Sequence, residues 1–235
     1  MIDIHCHALY GVDDGAKDLE ESLAMLKEAK GQGIQALVLT PHLRHGMFPY
    51  PKERILSHFE TLKAKAEPLG LTLYLGCEHH ASSAMVKELA EGSCLTLAGG
   101  DYVLAEFSYE DSFAAIRAKT GELIANGYLP VIAHAERCGC FQKDPEGCRE
   151  LAAAGACIQL NADSILGLAG KAEEKLSRKL IKKGWGHLIA SDAHGIRERA
   201  CHLKECQGLV SGKYGEAAAR RLFYENPKKI ITGKM

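Results

Sequence analysis

The sequence predicts an α/β fold in which a parallel β-sheet, closed into a (β/α) barrel, is covered by helices. Short apolar runs alternate with amphipathic stretches about seven times along the 235 residues, which we expect to form a single domain. The apolar runs are continuous rather than alternating, as in parallel strands buried on both faces. An open doubly wound sheet fits the same alternation. The barrel is favoured because polar residues follow one apolar run after another, and no GxGxxG or P-loop follows a predicted strand.

Seven apolar runs are predicted as strands because turn or polar residues bound each of them. They are residues 1–5, 36–40, 71–76, 102–108, 129–134, 157–162 and 187–191. Helical spacing marks the stretches between them, as where Leu19, Leu23 and Leu26 recur near every fourth residue before a pair of glycines. The predicted helices are residues 17–33, 52–70, 82–91, 112–127, 145–154 and 171–184, and then a helical remainder that ends near residues 226–227 and a last short helix.

The composition argues against several classes of function. Lys and Arg total 29 against 30 Asp and Glu, a net charge of −1, so no nucleic-acid partner is expected from bulk charge. No apolar stretch is long enough for membrane insertion, and Asp3 and His5 interrupt the N-terminal apolar run, so no secretory signal is expected. The nine cysteines are therefore interpreted as free thiols of a cytoplasmic protein, and the Cys138–Cys140–Cys148 spacing differs from that of common zinc sites.

Metal-ligating residue types follow nearly every predicted strand. The carboxyl ends of parallel barrel strands converge on one face, where active sites lie. One histidine after a strand is an ordinary loop residue, but a series of such strand ends predicts a shared metal site. The candidate ligands are His5, His7, Asp14, His42, Glu78, Glu106, His134, Asp192 and His194.

The chemistry of these candidates restricts the metal. Imidazole and carboxylate ligands without a thiolate suit zinc, manganese, iron or cobalt. Nine side chains are too many for one ion, so two or three divalent ions that share bridging carboxylates are expected. Adjacent residues of an extended segment face opposite sides, so His79 and His80 are left out.

The ordered motifs resemble the PHP (polymerase and histidinol phosphatase) superfamily. They are DIHCH at residues 3–7, TPH at 40–42, GCE at 76–78, the glutamate of LAEFS at 104–108, HAER at 134–137 and SDAH at 191–194. The segments HCHALYGVDDGA and HLRHGMF are similar to the bacterial PHP-type tyrosine phosphatases of capsule and exopolysaccharide loci. Ala135, where the family usually has proline, and Cys138, where an aromatic residue is common, depart from the pattern.

The resemblance implies a distorted (β/α)7 barrel that holds three metal ions, with manganese first and iron, zinc or cobalt as alternatives. It implies His5, His7, Glu78 and Asp192 at the first ion, Glu78, Glu106 and His134 at the second, and Asp14, His42 and His194 at the third. Asp13 is a rival for Asp14. The activity implied is hydrolysis of phosphotyrosine in a protein, such as the tail of a bacterial tyrosine kinase that controls capsule or exopolysaccharide synthesis.

A hydroxide that bridges two ions is the expected nucleophile, because paired metal ions activate water and clamp phosphoryl oxygens. Asp14 and His42 are expected catalytic residues, together with Arg137, whose guanidinium fork matches phosphate. Arg137 could instead pair with Glu136 at the surface. Cys201 lacks the arginine of a Cys-x5-Arg loop, so a cysteine-based route is not expected.

Further residues are candidates for supporting roles. Arg44 and His45 could line the substrate entrance or belong to a solvated loop. Asp13, Gln159 and Asn161 could orient ligands, as residues behind a metal site commonly do, or the last two could make ordinary hydrogen bonds at the sheet end.

The sequence is also compatible with other functions. A small-molecule phosphomonoesterase of the histidinol-phosphate type, or a phosphodiesterase, would use the same ligands. A non-catalytic metal-binding regulatory module is the alternative from another class. An oligomer is possible through the helix at residues 18–30 or the C-terminal helices, which could equally pack on the barrel.

Overall fold

A curled, parallel β-sheet forms the centre of the molecule in the computed structural model, which describes residues 1–233. Its strands are β1 (Ile2–Cys6), β2 (Ala36–Leu39), β3 (His42–Leu43), β4 (Thr72–Leu75), β5 (Glu78–His80), β6 (Tyr102–Glu106), β7 (Leu129–Ile132), β8 (Cys157–Asn161) and β9 (Leu188–Ala190). They pair in two orders, β1-β2-β4 and β3-β5-β6-β7-β8-β9. Because β3 directly continues β2, and β5 continues β4, the strands occupy seven positions. The predicted fold class is confirmed.

The last strand position returns to the first. The Asp192 N–H donates to His5 O at 2.9 Å, and the His7 N–H donates to Ala193 O at 2.8 Å. Below these bonds the buried Asp3 carboxylate accepts the Ser191 N–H at 3.1 Å and the Ser191 hydroxyl at 2.6 Å. This junction places the first candidate ligands of the chain, His5 and His7, beside the last ones, Asp192 and His194.

Helices cover the outside of the sheet. They are α1 (Leu19–Gly31), α2 (Lys52–Ala66), α3 (Met85–Ala90), α4 (Phe113–Ala125), α5 (Gly139–Lys143), α6 (Glu146–Ala153), α7 (Ala162–Leu166), α8 (Lys171–Lys183), α9 (Leu203–Tyr214), α10 (Glu216–Arg220) and α11 (Asn226–Thr232). Asp18 begins α1 by accepting the Glu21 N–H at 2.9 Å, and Ser112 caps α4 in the same way. None of the helices in residues 1–233 combines the length and apolar character needed to cross a bilayer.

The structure differs from the predicted elements in three places. The short helices α5 and α7 were not predicted, because five residues are too few to show a helical period. Residues 195–202 form a loop rather than a helix. The predicted last short helix is α11, but no break precedes it near residues 226–227: a π-helical turn over Arg221–Glu225 leads directly into α11, whose first turn accommodates Pro227.

The hydrophobic core has two layers. Alternate strand residues, among them Ile4, Val38, Leu104 and Val131, meet inside the barrel, where Ile230 of α11 packs against the same cluster. The other strand faces pack against the helices in a larger cluster. Since apolar residues fill the lower interior, the polar residues at the strand ends form a layer above them.

Gly15 provides a test of how the loop after β1 packs on the strand end. A Cβ at Gly15 would lie 2.0 Å from His7 O and 2.6 Å from His7 Cβ. We expect Gly15→Ala to lower the free energy of unfolding by about 1–3 kcal/mol, as overpacking does, in urea denaturation.

The matched control is Gly121→Ala in the exposed interior of α4, where an added Cβ meets no atom within 4 Å. It should raise the free energy of unfolding by about 0.5–1 kcal/mol, because alanine loses less backbone entropy. Equal effects of the two substitutions would contradict the close contact at Gly15.

Candidate metal centre

Two imidazoles reach the barrel interior from β1 because this strand carries a bulge. Between its paired residues Asp3 and Cys6, β1 has one residue more than β2. A bulge changes the face to which the following side chains point, so His5 and His7 face inward directly after the inward-facing Ile4. Both imidazoles are fully buried, and their Nε2 atoms lie 3.2 Å apart.

The fully buried Glu78 carboxylate lies in the middle of the centre. Its Oε2 lies 3.1 Å from His5 Nε2, 3.2 Å from His7 Nε2 and 3.0 Å from His42 Nδ1. Its Oε1 lies 2.9 Å from His134 Nε2. The two oxygens therefore face different imidazoles, which is the arrangement that a carboxylate bridging two ions requires.

Asp192 joins this group from the end of the last strand, β9. Its Oδ1 lies 3.3 Å from His5 Nε2. Single ligand atoms of His5, His7, Glu78 and Asp192 lie within 4.8 Å of one another, so the residues expected at the first ion are brought together. Asp192 (φ 53°) and His134 (φ 30°) both have left-handed backbone conformations. Such strain is rare outside glycine and concentrates at functional sites.

The two neighbouring aspartates, which the sequence could not distinguish, have different surroundings. Asp14 Oδ1 lies 3.4 Å from both His42 Nε2 and His194 Nε2, and these three residues and His7 form a second group within 4.8 Å. Asp13 Oδ2 instead accepts the His7 Nδ1 proton at 2.8 Å and the His42 N–H at 3.0 Å. The structure therefore places Asp14 in a group of possible metal ligands, whereas Asp13 is hydrogen-bonded to His7 and to the backbone of His42.

A third group differs by one residue from the set implied for the second ion. It joins Glu78 and Glu106 to His42 rather than to His134. The left-handed backbone conformation of His134 directs its imidazole toward Glu78 Oε1. Glu106 instead accepts the His80 Nδ1 proton at 3.0 Å.

His79, which precedes His80, faces the other side of β5. Its Nε2 lies 2.8 Å from Glu88 Oε2 on α3. The adjacent histidines thus diverge, as the strand geometry predicted, and neither belongs to the three groups of ligand atoms found among residues 1–233.

A chain of amide side chains from β8 holds the ligands in place. His5 Nδ1 donates to Gln159 Oε1 at 3.1 Å, and Gln159 Nε2 donates to Asn161 Oδ1 at 2.7 Å. Asn161 Nδ2 in turn donates to Asp192 Oδ2 at 2.8 Å. These bonds occupy the outward-facing atoms of His5 and Asp192, so that His5 Nε2 and Asp192 Oδ1 are left to face the interior.

Two guanidinium groups flank the centre. Arg137 Nη1 lies 3.0 Å from Asp192 Oδ2, so Arg137 pairs across the site rather than with Glu136 at the surface, and 38% of its side chain is exposed. Arg199 Nη1 lies 3.1 Å from Asp14 Oδ2, and its Nη2 lies 3.5 Å from Asp192 Oδ1. Sequence reasoning missed Arg199 because it assigned this stretch to a helix. The His194 N–H donates to Arg199 O at 2.9 Å, which fixes the loop beside the ligands.

The turn after β3 carries the two other residues predicted at the entrance. Arg44 and Phe48 exchange backbone hydrogen bonds of 2.9 and 2.8 Å, and Phe48 stacks on His42 with ring centroids 5.0 Å apart. His45 Nε2 lies 2.9 Å from Glu88 Oε1. Within residues 1–233 the Arg44 guanidinium has no carboxylate at ion-pair distance, so it remains available to an anion.

The buried atoms of the centre fit divalent cations. Those without a hydrogen-bond partner among the described residues include Glu78 Oε2, Asp192 Oδ1, His42 Nδ1, His134 Nδ1 and His194 Nε2. An unpaired buried polar atom costs about 1–3 kcal/mol, and a bound cation removes that cost. Imidazole and carboxylate are also the donors that manganese, iron, zinc and cobalt accept.

Protons balance the carboxylates when no cation does. Burial opposes a charge on His7, but the Asp13 and Glu78 carboxylates beside it raise its pKa to about 10. Burial likewise opposes a charge on Glu78, and the surrounding imidazoles, His5 foremost, nevertheless hold the pKa of this carboxyl well below its usual range. Metal binding would therefore exchange protons for ions.

The sequence is similar to those of known proteins over all or nearly all of its length. The family model described as "Capsular polysaccharide synthesis, CpsB/CapC" matches residues 1–232. The tyrosine-protein phosphatase CpsB of Streptococcus pneumoniae is 33% identical over 242 residues, which cover 100% of both chains. The tyrosine-protein phosphatase YwqE of Bacillus subtilis (strain 168) is 31% identical over 217 residues, 92% of this chain and 85% of YwqE.

A crystal structure supports the same relationship. It comes from work on YwqE from Bacillus subtilis and CpsB from Streptococcus pneumoniae, described there as unique metal-dependent tyrosine phosphatases. It superposes with a TM-score of 0.93 at 30% identity and covers 100% of this chain and 96% of the other. The resemblance inferred from the ordered motifs is confirmed: the chain belongs to the CpsB/CapC family.

Proposed function

We propose that the protein is a metal-dependent phosphatase that hydrolyses phosphotyrosine in proteins. The observation that carries the proposal is the buried cluster around Glu78, where ligand atoms lack hydrogen-bond partners between two partly exposed arginines. Relatives named tyrosine-protein phosphatases, which match over most or all of their length, support it. Residues 1–235 would act as one domain, since the cluster joins residues from His5 to His194.

Two or three divalent ions would occupy the centre, with manganese favoured over iron, zinc or cobalt. His5, His7, Glu78 and Asp192 would hold one ion, Asp14, His42 and His194 another, and Glu78 and Glu106, with His42 or His134, a third. Such ions supply an activated water and neutralise phosphoryl oxygens. Glu78 would hold two ions at a fixed separation, because its oxygens face different imidazoles.

The chain's own cations would orient the phosphate. Arg137 and Arg199 reach the centre from two different loops; Arg137 has one carboxylate partner, Asp192, and Arg199 has two, Asp14 and Asp192. A planar guanidinium fork matches two phosphoryl oxygens. The leaving phenolate, with an ordinary pKa near 10, is a good enough leaving group to need no dedicated strong acid.

The physiological substrate we propose is a phosphotyrosine-containing protein, in the form of the tail of a bacterial tyrosine kinase. Dephosphorylation of such a kinase would regulate capsule or exopolysaccharide synthesis, the process after which the family is described. The proposed location is the cytoplasm, where such a kinase tail would lie.

The first prediction from the proposed function concerns substrate class and metal dependence. Protein purified without chelator and supplied with Mn²⁺ should release phosphate from a phosphotyrosine peptide, and both EDTA and His42→Ala should abolish the release. Histidinol phosphate and a phosphodiester, assayed in parallel, should turn over far more slowly. Turnover of the small ester or the diester alone would overturn the proposed substrate. Bound metal without any turnover would point to a regulatory module.

The second prediction separates the two aspartates. Asp14→Asn should remove about one metal ion per chain, because Asp14 Oδ1 faces His42 and His194. Asp13→Asn should keep the metal count at saturating metal but weaken affinity roughly 10- to 100-fold, as loss of an orienting partner does. Elemental analysis and metal titration measure both. Loss of an ion in Asp13→Asn with none lost in Asp14→Asn would reverse the assignment.

The third prediction tests the guanidinium of Arg137. Arg137→Lys keeps a positive charge near Asp192 but removes the fork, so kcat/KM for the peptide should fall roughly 10²-fold, the effect of losing one oxyanion donor. Metal content should match the unmodified protein. A loss of activity that tracks a loss of metal would instead make Arg137 a support for Asp192.

A further inference from the structure

A cleft beside the metal centre has no role in the chemistry described so far. It has a volume of about 700 Å³ and is open to solvent. Its walls are the N-terminal end of α1 with the residues before it, from Asp14 to Ala24, and the loop from His194 to Arg199. Asp14, His194 and Arg199 belong both to this cleft and to the centre, so the cleft is continuous with the centre. We call it the lateral cleft.

The loop wall of the lateral cleft presents one large apolar side chain. Ile196 is 40% exposed, although a residue of this type is usually buried. It lies two residues after His194 and three before Arg199, so its position is fixed by the same loop that carries both groups.

The charged side chains of the lateral cleft are of both signs and largely uncommitted. Lys17 and Arg197 are exposed and form no side-chain ion pair or hydrogen bond within residues 1–233, and Glu20 and Glu198 likewise have no such partner there. Glu21, by contrast, accepts the Lys17 N–H at 3.0 Å. Free cations, free anions and an apolar side chain therefore line the two walls of this open cleft.

This combination distinguishes among possible occupants. A nucleic acid requires a wall of predominantly positive charge, which the free glutamates oppose. A small metabolite is normally enclosed on most of its surface, whereas this cleft is open. An extended polypeptide fits, because it offers main-chain donors and acceptors as well as side chains of every type.

We propose that the lateral cleft binds the peptide segment that flanks the phosphotyrosine, with Ile196 and Arg197 as its main contacts. This inference rests on the proposed function. It adds that contacts in the lateral cleft distinguish a protein substrate from a small aryl phosphate. Contacts remote from the reacting bond raise kcat/KM for the substrate that makes them and leave a truncated substrate unaffected.

The experiment compares two substrates on metal-loaded, full-length protein: a phosphotyrosine peptide with several residues on each side, and free phosphotyrosine. The peptide should have the higher kcat/KM by more than roughly tenfold, since it alone can fill the cleft. In Ile196→Ser/Arg197→Ala, kcat/KM for the peptide should fall roughly fivefold or more through loss of an apolar and a polar contact. The value for free phosphotyrosine should stay unchanged.

The matched control is Leu56→Ser on α2, which truncates an apolar side chain of similar exposure, 42%, outside the lateral cleft. It should leave both substrates unaffected. Metal content and thermal midpoint, measured for each variant, identify any that fails to fold or load.

The outcomes separate the inference from the proposed function. If the unmodified protein hydrolyses neither phosphotyrosine substrate, the proposed function itself fails. If it hydrolyses both equally well, or if the double variant loses activity equally on both, the lateral cleft does not select peptides and the inference is overturned. An unchanged peptide rate in a folded, metal-loaded double variant overturns it as well.

Discussion

The contact of one buried carboxylate, Glu78, with four imidazoles is the interaction on which the rest of the site depends. Its oxygens lie 2.9–3.2 Å from nitrogens of His5, His7, His42 and His134, which come from the ends of three strand positions. Burying such groups without compensation is costly. The fold can hold them only with protons on the imidazoles or with cations between them, and the buried ligand atoms without hydrogen-bond partners fit cations.

Backbone irregularities, rather than regular strands, aim these groups. The bulge in β1 turns His5 and His7 inward, and left-handed residues turn His134 and Asp192 toward Glu78. Each irregularity follows a regular apolar stretch that fills the lower barrel. The strain at the upper rim is therefore supported by conventional packing below it, and by the hydrogen bonds that Gln159 and Asp13 make to the outward-facing imidazole nitrogens.

The sequence predicted the strands, most helices and the residues that meet at the centre, because apolar runs and the ligands after them leave a local signal. It did not predict the bulge or the left-handed residues, since these arise from pairing with neighbouring strands. It could not choose between Asp13 and Asp14, because adjacent residues differ only in the direction that a loop gives them. Arg199 was missed because residues 195–202 were expected to be helical, whereas they form a loop whose backbone returns to His194.

The buried residues of the site fix the geometry of the ligands, whereas its exposed loops are the part at which substrates can be selected. Glu78, Asp13 and Gln159 are buried or largely buried and hydrogen-bonded, so substitutions there alter the geometry of the ligands themselves. The loops of Arg44 and Ile196 contact the centre at both ends, through His42 and Phe48 in the first and His194 and Arg199 in the second, and their tips are exposed. Changes at these tips can alter which phosphorylated chain is accepted without disturbing the ligands. A barrel of nearly neutral net charge can therefore bind a dianion through local cations and still select its substrate through uncharged and mixed-charge contacts beside the centre.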